Sequence, residues 1–242
     1  MELFGQGLAW LADAANWTDA RNGILLRLWE HVSLSAAALA AATAIALPLG
    51  LWIGHTGRGA TAVIAIANIG RAVPSVGWLG IVFPLTLVAF GRAGLGFLPA
   101  VIALTALGIP PIVTNAYAGM REVDADLVEA GRGMGMRELE IVRQVEIPVA
   151  LPVILAGIRV SAVQIVATAT LAAIVAGGTL GDFIIQGIFV RALDRVVGAA
   201  ILVAVLAVLT ELAFTVVERR ATSAGLRRAT RPAPIGLPPG SI

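Results

Sequence analysis

The chain contains no cysteine and no lysine, and only 13% of its 242 residues are charged. Without cysteine it has no disulfide framework, thiolate metal site or cysteine nucleophile. Without lysine it has no Gly-x-x-x-x-Gly-Lys-[Ser/Thr] phosphate loop, so we expect it neither to bind nor to hydrolyse ATP. The two histidines, His31 and His55, are too few and too far apart in sequence to suggest a metal cluster.

Most of the chain is apolar instead: 58% of its residues are hydrophobic, and its mean hydropathy is +0.91. Because soluble domains average about 25% charged residues, the solvent around this chain must be largely lipid. The sequence pI near 10.3 comes from arginines in short connections and in the tail. Arginines placed beside apolar spans mark the cytoplasmic side of a membrane, so we predict a lipid bilayer as partner and no nucleic acid.

The apolar runs predict an all-α polytopic membrane protein of about five transmembrane helices. The second run is longer than one straight span needs and contains Pro74 and Pro84, which oppose an unbroken helix. It is either one long span broken near Arg71 or two short spans, which would make six. The predicted spans cover residues 32–54, 60–90, 97–120, 147–178 and 196–217.

The two ends differ from this core. Residues 1–27 mix polar and apolar side chains, and Trp10 and Trp17 suit a segment at the membrane interface, with a disordered tail as the alternative. No basic stretch precedes an apolar core there, so we expect no cleaved signal peptide. Residues 219–242 hold five arginines and four prolines and predict a disordered basic tail. With five spans, ten arginines fall inside and five outside if the N-terminus is outside and the C-terminus cytoplasmic.

One hydrophilic loop interrupts the apolar spans. Residues 121–146 carry seven acids and four arginines, with Leu127, Ala130 or Gly131, and Met134 on one helical face. Glycines at 133 and 135 end this helix, a second short helix follows over 137–144, and Pro148 marks the return to the membrane. A helix-turn-helix that presents small and apolar residues in water is suited to fill a groove on another protein.

The loop also carries a spaced motif. Glu129-Ala130-Gly131 is followed by three residues, Gly135, nine residues, and Val145-Glu146-Ile147-Pro148. This resembles the cytoplasmic signature of permease subunits of ATP-binding-cassette importers, which runs Glu-Ala-Ala, three residues, Gly, nine residues, Ile-x-Leu-Pro. Gly131, Val145 and Ile147 are conservative departures from it.

The resemblance implies a type I importer permease fold over residues 28–218, in a bacterial inner membrane. The loop at 121–148 would dock onto a cytoplasmic ATPase dimer, which would hold ATP and magnesium, so this chain would be non-catalytic and bind no cofactor. Glu129 and Arg132 would contact the ATPase and Gly135 would permit the turn, with Ala130, Gly131, Ile147 and Pro148 completing the motif. Glu129 could instead cap or pair locally. The other partners would be a second permease copy or a sister permease, and an external substrate-binding protein.

Further stretches are similar to the branch of this family that takes up glycine betaine, choline, carnitine and related osmoprotectants. They are residues 67–75, 110–119, 129–136 and 167–182. The chain departs at Arg71-Ala72 and Pro110-Pro111, where Gln-Thr and a less proline-rich pair are expected. A quaternary ammonium would be bound by clustered aromatic faces, but aromatic residues are only 5% of the chain and show no evident cage.

A few residues inside the spans are candidates for the substrate pathway or gate. They are Arg71, Pro74, Ser75, Tyr117, Thr168 and Thr170. Arg71 could line the pathway, because ionisable groups inside a membrane are functional by default, or it could snorkel from a short half-helix. Arg159 could pair with Glu146 or stay near the interface, and Glu211 is expected to face the bundle interior. Asp182 lies in a predicted external connection that is either a docking surface or a solvated loop.

Three other functions compete with the osmoprotectant importer. The chain could be the permease of an importer for another small solute, such as an amino acid. It could be an ATP-independent carrier or channel, in which Arg71 and Glu211 would matter more than the loop. It could also be a membrane scaffold that recruits a cytosolic protein through the loop.

Overall fold

The computed structural model describes residues 2–19 and 22–221, so most of the tail predicted over 219–242 lies outside the described residues. Within these ranges the chain is helical and has no β-strand. The α-helices are α1 (Glu2–Ala12), α2 (Ala14–Thr18), α3 (Ile24–Thr56), α4 (Ala60–Ala72), α5 (Ser75–Phe90), α6 (Phe97–Arg121), α7 (Ala125–Gly133), α8 (Glu138–Ile141), α9 (Ile147–Thr168), α10 (Gly181–Val190) and α11 (Leu193–Ala221). Short 3₁₀ turns follow α5 (Gly91–Gly94) and α9 (Ala169–Val175).

Five stretches of the described chain are long and apolar enough to cross a membrane, as the sequence predicts. They are Ile24–Thr56, Ser75–Gly94, Phe97–Arg121, Glu138–Val175 and Leu193–Ala221. Helices α3 and α6 form the centre, where small residues bring the backbones together. A methyl group added at Gly50 would lie 2.6 Å from Ala116 Cβ, and one at Gly108 would lie 2.8 Å from Ser161 Oγ on α9.

The predicted break in the second span lies between α4 and α5, at Val73 and Pro74. Helix α4 packs through Ala67 against the second half of α6, at Ile112 and Val113. Helix α5 packs through Leu79 against the first half of α6. The two short helices therefore run one after the other along α6 and together form one broken crossing, which resolves the choice between five and six spans in favour of five.

The loop returns to the membrane without a break in helical structure. A π-helical turn (Val142–Glu146) joins α8 to α9, and the Ile147 amide donates to the Val142 carbonyl. Pro148 follows at the start of α9. Proline cannot donate a backbone hydrogen bond, and its ring clashes with the carbonyl four residues earlier in a regular α-helix. The wider π turn before it accommodates this clash, so α8 and α9 remain continuous.

The N-terminal helix packs at the opposite end of the bundle from the loop. Gly7 lies against Val197 at the start of α11, and Trp10 stacks edge-to-face on Phe183 of α10 with ring centroids 5.2 Å apart. Helix α3 begins at Ile24, within the segment assigned to the interface. The interfacial position of residues 1–27 stays a prediction.

Candidate functional site

Helix α7 presents an apolar face that no other described part of the chain covers. Asp124 caps the helix, since its Oδ1 accepts from the Asp126 amide at 2.9 Å. Leu127 and Met134 are 49% and 76% exposed, and Ala130 between them is exposed as well. Gly131, one turn after Leu127, is buried, and a methyl group added there would lie 3.4 Å from Met136 Sδ and 3.5 Å from Ile141. The predicted face exists, and its large side chains point away from the rest of the chain.

The turn after α7 is built on Gly135. Its φ of +82° lies in the left-handed region, which costs glycine little and other residues more. The Gly135 amide donates to the Arg132 carbonyl at 2.9 Å, and the Met136 amide donates to the Gly131 carbonyl at 3.1 Å. These bonds close the C-terminus of α7 and direct the chain into α8. The chain therefore turns at Gly135, the residue at which the sequence predicts the turn.

An ion pair joins the two short helices of the loop. Arg132 Nε and Nη2 donate to the two carboxylate oxygens of Glu138 at 2.9 and 3.1 Å. The hydrogen bond from Arg132 lowers the pKa of the Glu138 carboxyl, and the same contact raises the pKa of Arg132. Arg132 was predicted to contact the ATPase; within this chain its guanidinium is already bound by Glu138, and half of its side chain remains exposed.

Glu129 has no hydrogen bond or salt bridge to any residue that the structure describes, and it is exposed. The alternative of a local cap is therefore not realised in the described chain, because Asp124 caps α7. The carboxylate of Glu129 remains available to another molecule. Ile147 and Pro148 lie where the loop enters α9, and both are part of the helix rather than of the exposed face.

His55, at the end of α3, was not predicted to belong to this site. Its Nδ1 lies 2.8 Å from Glu146 Oε2, and its Nε2 lies 3.3 Å from Glu138 Oε2. Glu146 is buried, with 5% of its surface exposed. His55 therefore connects the first span to α8 and to the π turn that follows it. Ninety-one positions separate His55 from Glu146, so local periodicity held no signal of the contact.

The candidate pathway residues fall into separate places rather than one site. Arg71 Nη2 donates to Thr114 Oγ1 at 2.7 Å and to the Pro110 carbonyl at 3.4 Å. Ser75 and Thr168 line one small pocket between α5, α6 and the end of α9. Pro74 precedes the first turn of α5.

The other two candidates lie away from Arg71. Tyr117 packs beside the cluster that joins α3, α4 and α6, nearer to the loop. Thr170 donates to the Ala167 carbonyl at 3.4 Å within the 3₁₀ turn. Neither residue shares the pocket that Ser75 and Thr168 line.

Two further arginines, Arg159 and Arg27, form ion pairs within the described chain. Arg159 contacts Glu218 at 3.1 Å and Glu211 at 3.5 Å, which joins α9 to α11 and excludes the alternative of an Arg159–Glu146 pair. At the other end of the bundle, Arg27 bridges Glu30 at 2.8 Å and Asp182 at 3.0 Å. Burial raises the pKa of Asp182, while Arg27 opposes that effect. Among the described residues no group of three or more His, Asp or Glu could hold a metal ion.

Comparison with known proteins gives the family. Residues 46–223 match the family described as the binding-protein-dependent transport system inner membrane component. The chain belongs to this family. It is a multi-pass inner-membrane permease that works with a binding protein and an ATPase, and it is not the catalytic subunit. The predicted family and the non-catalytic role are confirmed, and the carrier, channel and scaffold alternatives are not favoured.

Similar proteins include several permeases of one type. The choline transport system permease protein OpuBB of Bacillus subtilis is 38% identical over 205 residues, which cover 85% of this chain and 91% of that protein. The carnitine transport permease protein OpuCB of Listeria monocytogenes is 38% identical, covering 86% and 92%. The osmoprotectant import permease protein OsmW of Salmonella typhimurium is 33% identical, covering 82% and 92%.

A solved structure confirms the type I importer permease fold. A chain of the MetNI methionine ABC transporter, in an inward-facing conformation, superposes with a TM-score of 0.74 and 26% identity. The superposition covers 83% of this chain and 97% of that one.

Proposed function

We propose that this permease imports an osmoprotectant with a quaternary ammonium group, such as glycine betaine, carnitine or choline. The support is that permeases named for choline and carnitine transport are 38% identical over most of the chain. A chain of the methionine transporter has the same fold at lower identity, 26%. Among the described residues, Trp10 and Phe183 form one aromatic pair, and no cage of several rings surrounds a cavity. Selectivity therefore rests largely on the external binding protein.

We also propose that residues 121–148 dock into a groove of a cytoplasmic ATPase dimer, which binds ATP and magnesium. The observation that carries this proposal is the exposed apolar face of α7, formed by Leu127, Ala130 and Met134. An uncovered apolar face at the water-exposed end of a membrane bundle is stabilised when another protein buries it. The Arg132–Glu138 pair and the His55–Glu146 contact hold this face on the bundle. Closure of the ATPase would move α7 and, through His55, the end of α3.

The orientation follows from this docking. The loop, the α3–α4 turn and the C-terminal end of α11 lie inside, and α1 with the α10–α11 connection lies outside. The inside group then carries the larger number of arginines. Two permease copies, or this chain and a sister permease, enclose the path, because five spans are too few to surround a gated pore.

Uptake into proteoliposomes tests the substrate. The permease, its ATPase and its binding protein are reconstituted, and the binding protein is titrated with glycine betaine, choline, carnitine and methionine. We expect binding and ATP-dependent uptake of one or more of the first three and none of methionine. Binding of methionine alone would refute the osmoprotectant assignment.

A charge reversal tests the docking face. Glu129→Arg places a cation where an exposed carboxylate has no ion pair among the described residues, while Glu122→Arg changes another exposed glutamate before α7. We expect Glu129→Arg to weaken assembly with the ATPase and slow uptake at least about tenfold, as for a desolvated interface charge. Glu122→Arg should change assembly with the ATPase and the uptake rate by less than about twofold each, as for a charge at the rim of an interface. Equal behaviour of the two variants would refute a role for Glu129.

A further inference from the structure

Arg71 is an unusual charge because it lies near the middle of the membrane-spanning region. Its partners on α6, Pro110 and Thr114, lie close to the midpoint of that helix, which runs from Phe97 to Arg121. It lies in the last turn of the short helix α4, two residues before Val73, where the span breaks. A guanidinium at this depth is costly if it faces hydrocarbon. The side chain therefore requires water, a counter-charge, or both.

The described chain provides Arg71 with hydrogen bonds but no counter-charge. Both of its contacts use Nη2, and both acceptors are neutral oxygens. The salt bridges within the described residues involve other arginines and His55 but not Arg71. The residue is exposed, and its other N–H groups have no hydrogen bond to the residues that the structure describes. Arginine has five donors in a planar fork that matches a carboxylate.

An apolar and aromatic surface adjoins this cation. Trp78 donates from its indole N–H to the Gly70 carbonyl at 3.2 Å, directly before Arg71 in sequence. Trp78, Gly70 and Pro110 border one largely apolar groove between α4, α5 and α6. A guanidinium that can donate hydrogen bonds to a carboxylate, beside an aromatic side chain, matches a molecule that carries a carboxylate and a trimethylammonium group.

We propose that Arg71 is a specificity-determining residue of the substrate path, which accepts carboxylate-bearing zwitterions and disfavours purely cationic substrates. This inference rests on the proposed osmoprotectant function and narrows it to substrates such as glycine betaine and carnitine. The guanidinium attracts the carboxylate of a zwitterion, whereas choline, which has no carboxylate, meets only repulsion. Because the guanidinium and the substrate charge meet in a region of low dielectric, Arg71 discriminates between the zwitterion and choline more strongly than it would in water. The trimethylammonium group is common to both substrate types, so Trp78 does not distinguish them.

The test compares uptake of glycine betaine and choline by the complete complex in proteoliposomes. Initial rates are measured with the binding protein saturated by each solute, for the wild type, Arg71→Gln, Arg71→Lys and Arg92→Gln. Arg92 lies in the exposed turn at the other end of α5 and serves as the matched control. The same binding protein serves every variant, so its own preference cancels when the rate ratios are compared.

We expect Arg71→Gln to raise the ratio of choline to glycine betaine uptake at least about tenfold. Arg71→Lys and Arg92→Gln should keep the wild-type ratio. An unchanged ratio for Arg71→Gln would overturn the inference. So would loss of permease assembly in Arg71→Gln but not in Arg71→Lys, because that would place the counter-charge in an adjoining subunit. A wild-type complex that transports none of glycine betaine, carnitine and choline would instead refute the proposed function itself.

Discussion

Gly135 sets the path of the loop through its backbone alone. Its φ is +82°, and an added methyl group would meet no atom within 4 Å. Gly133, two residues earlier, has the same open surroundings but an ordinary helical φ. Gly135→Ala therefore introduces backbone strain without a steric clash, and Gly133→Ala is its matched control.

We predict that Gly135→Ala costs about 1 kcal/mol in the loop conformation that presents α7. This lowers the affinity for the ATPase about fivefold, as measured by titration of the purified subunits. Gly133→Ala should leave the affinity unchanged or slightly improved, because alanine favours a helix. If both variants behaved alike, the left-handed conformation at Gly135 would have no part in docking.

His55 acts at the same scale, as the contact between α3 and the loop. His55→Ala would leave the buried Glu146 carboxylate without the partner that lies 2.8 Å away. We predict a loss of about 1–3 kcal/mol in the free energy of unfolding, measured as a lower thermal midpoint in detergent. The double variant His55→Ala/Glu146→Gln should recover part of this loss, because it removes the unpaired charge. Strictly additive effects would show that the contact carries no energy.

At the scale of elements, the pairing of α7 with α8 depends on pH. The pKa of Glu138 is lowered from its ordinary value of 4.5, so the folded loop favours the ionised form. The stabilisation is therefore fully present above about pH 4.5 and is lost as pH falls through the lowered pKa. The pair is exposed, so its contribution is small.

We predict that Glu138→Gln lowers the thermal midpoint at pH 7 and that the difference from wild type disappears toward pH 3. Glu122→Gln, which removes an exposed glutamate that has no ion pair among the described residues, is the control and should show no such convergence. A constant difference between Glu138→Gln and wild type over the whole range would contradict the sign of the pKa shift.

Elements differ in how far the sequence predicts them. Five spans, the apolar face of α7 and the break near Pro74 follow from apolar length, helical periodicity and the chemistry of proline. Other features arise from contacts between residues distant in sequence, such as His55 with Glu146 and Arg71 with Thr114. The residues between the fourth and fifth spans are predicted only as an external connection; helix α10 forms there and packs on α11, a tertiary contact that local sequence does not reveal.

The π turn before Pro148 is also a feature that the sequence does not predict. Proline predicts that a regular α-helical turn is disfavoured there, but it does not predict whether the helix ends or widens. The sequence indicated a boundary at Pro148, and the structure has a continuous helix with one wider turn.

At the scale of the whole molecule, the orientation in the membrane is directly testable because the natural chain contains no cysteine. Single cysteines can be introduced as Arg58→Cys in the α3–α4 turn and Arg92→Cys after α5, both at exposed positions. A membrane-impermeant maleimide added to spheroplasts should label Arg92→Cys at once and Arg58→Cys only after permeabilisation. The reverse pattern would show that the loop lies outside and would contradict the proposed orientation.

The whole account depends on α7 being the point at which ATP hydrolysis on a partner drives this permease. Leu127→Glu places a negative charge in the exposed apolar face, and Gln144→Glu adds the same single charge at an exposed position of the loop outside α7. The direct measurement is ATP-dependent uptake and ATPase affinity for both variants in reconstituted complexes. We predict that Leu127→Glu lowers both at least about tenfold, whereas Gln144→Glu changes neither by more than about twofold. Wild-type assembly and uptake in Leu127→Glu would contradict the central claim.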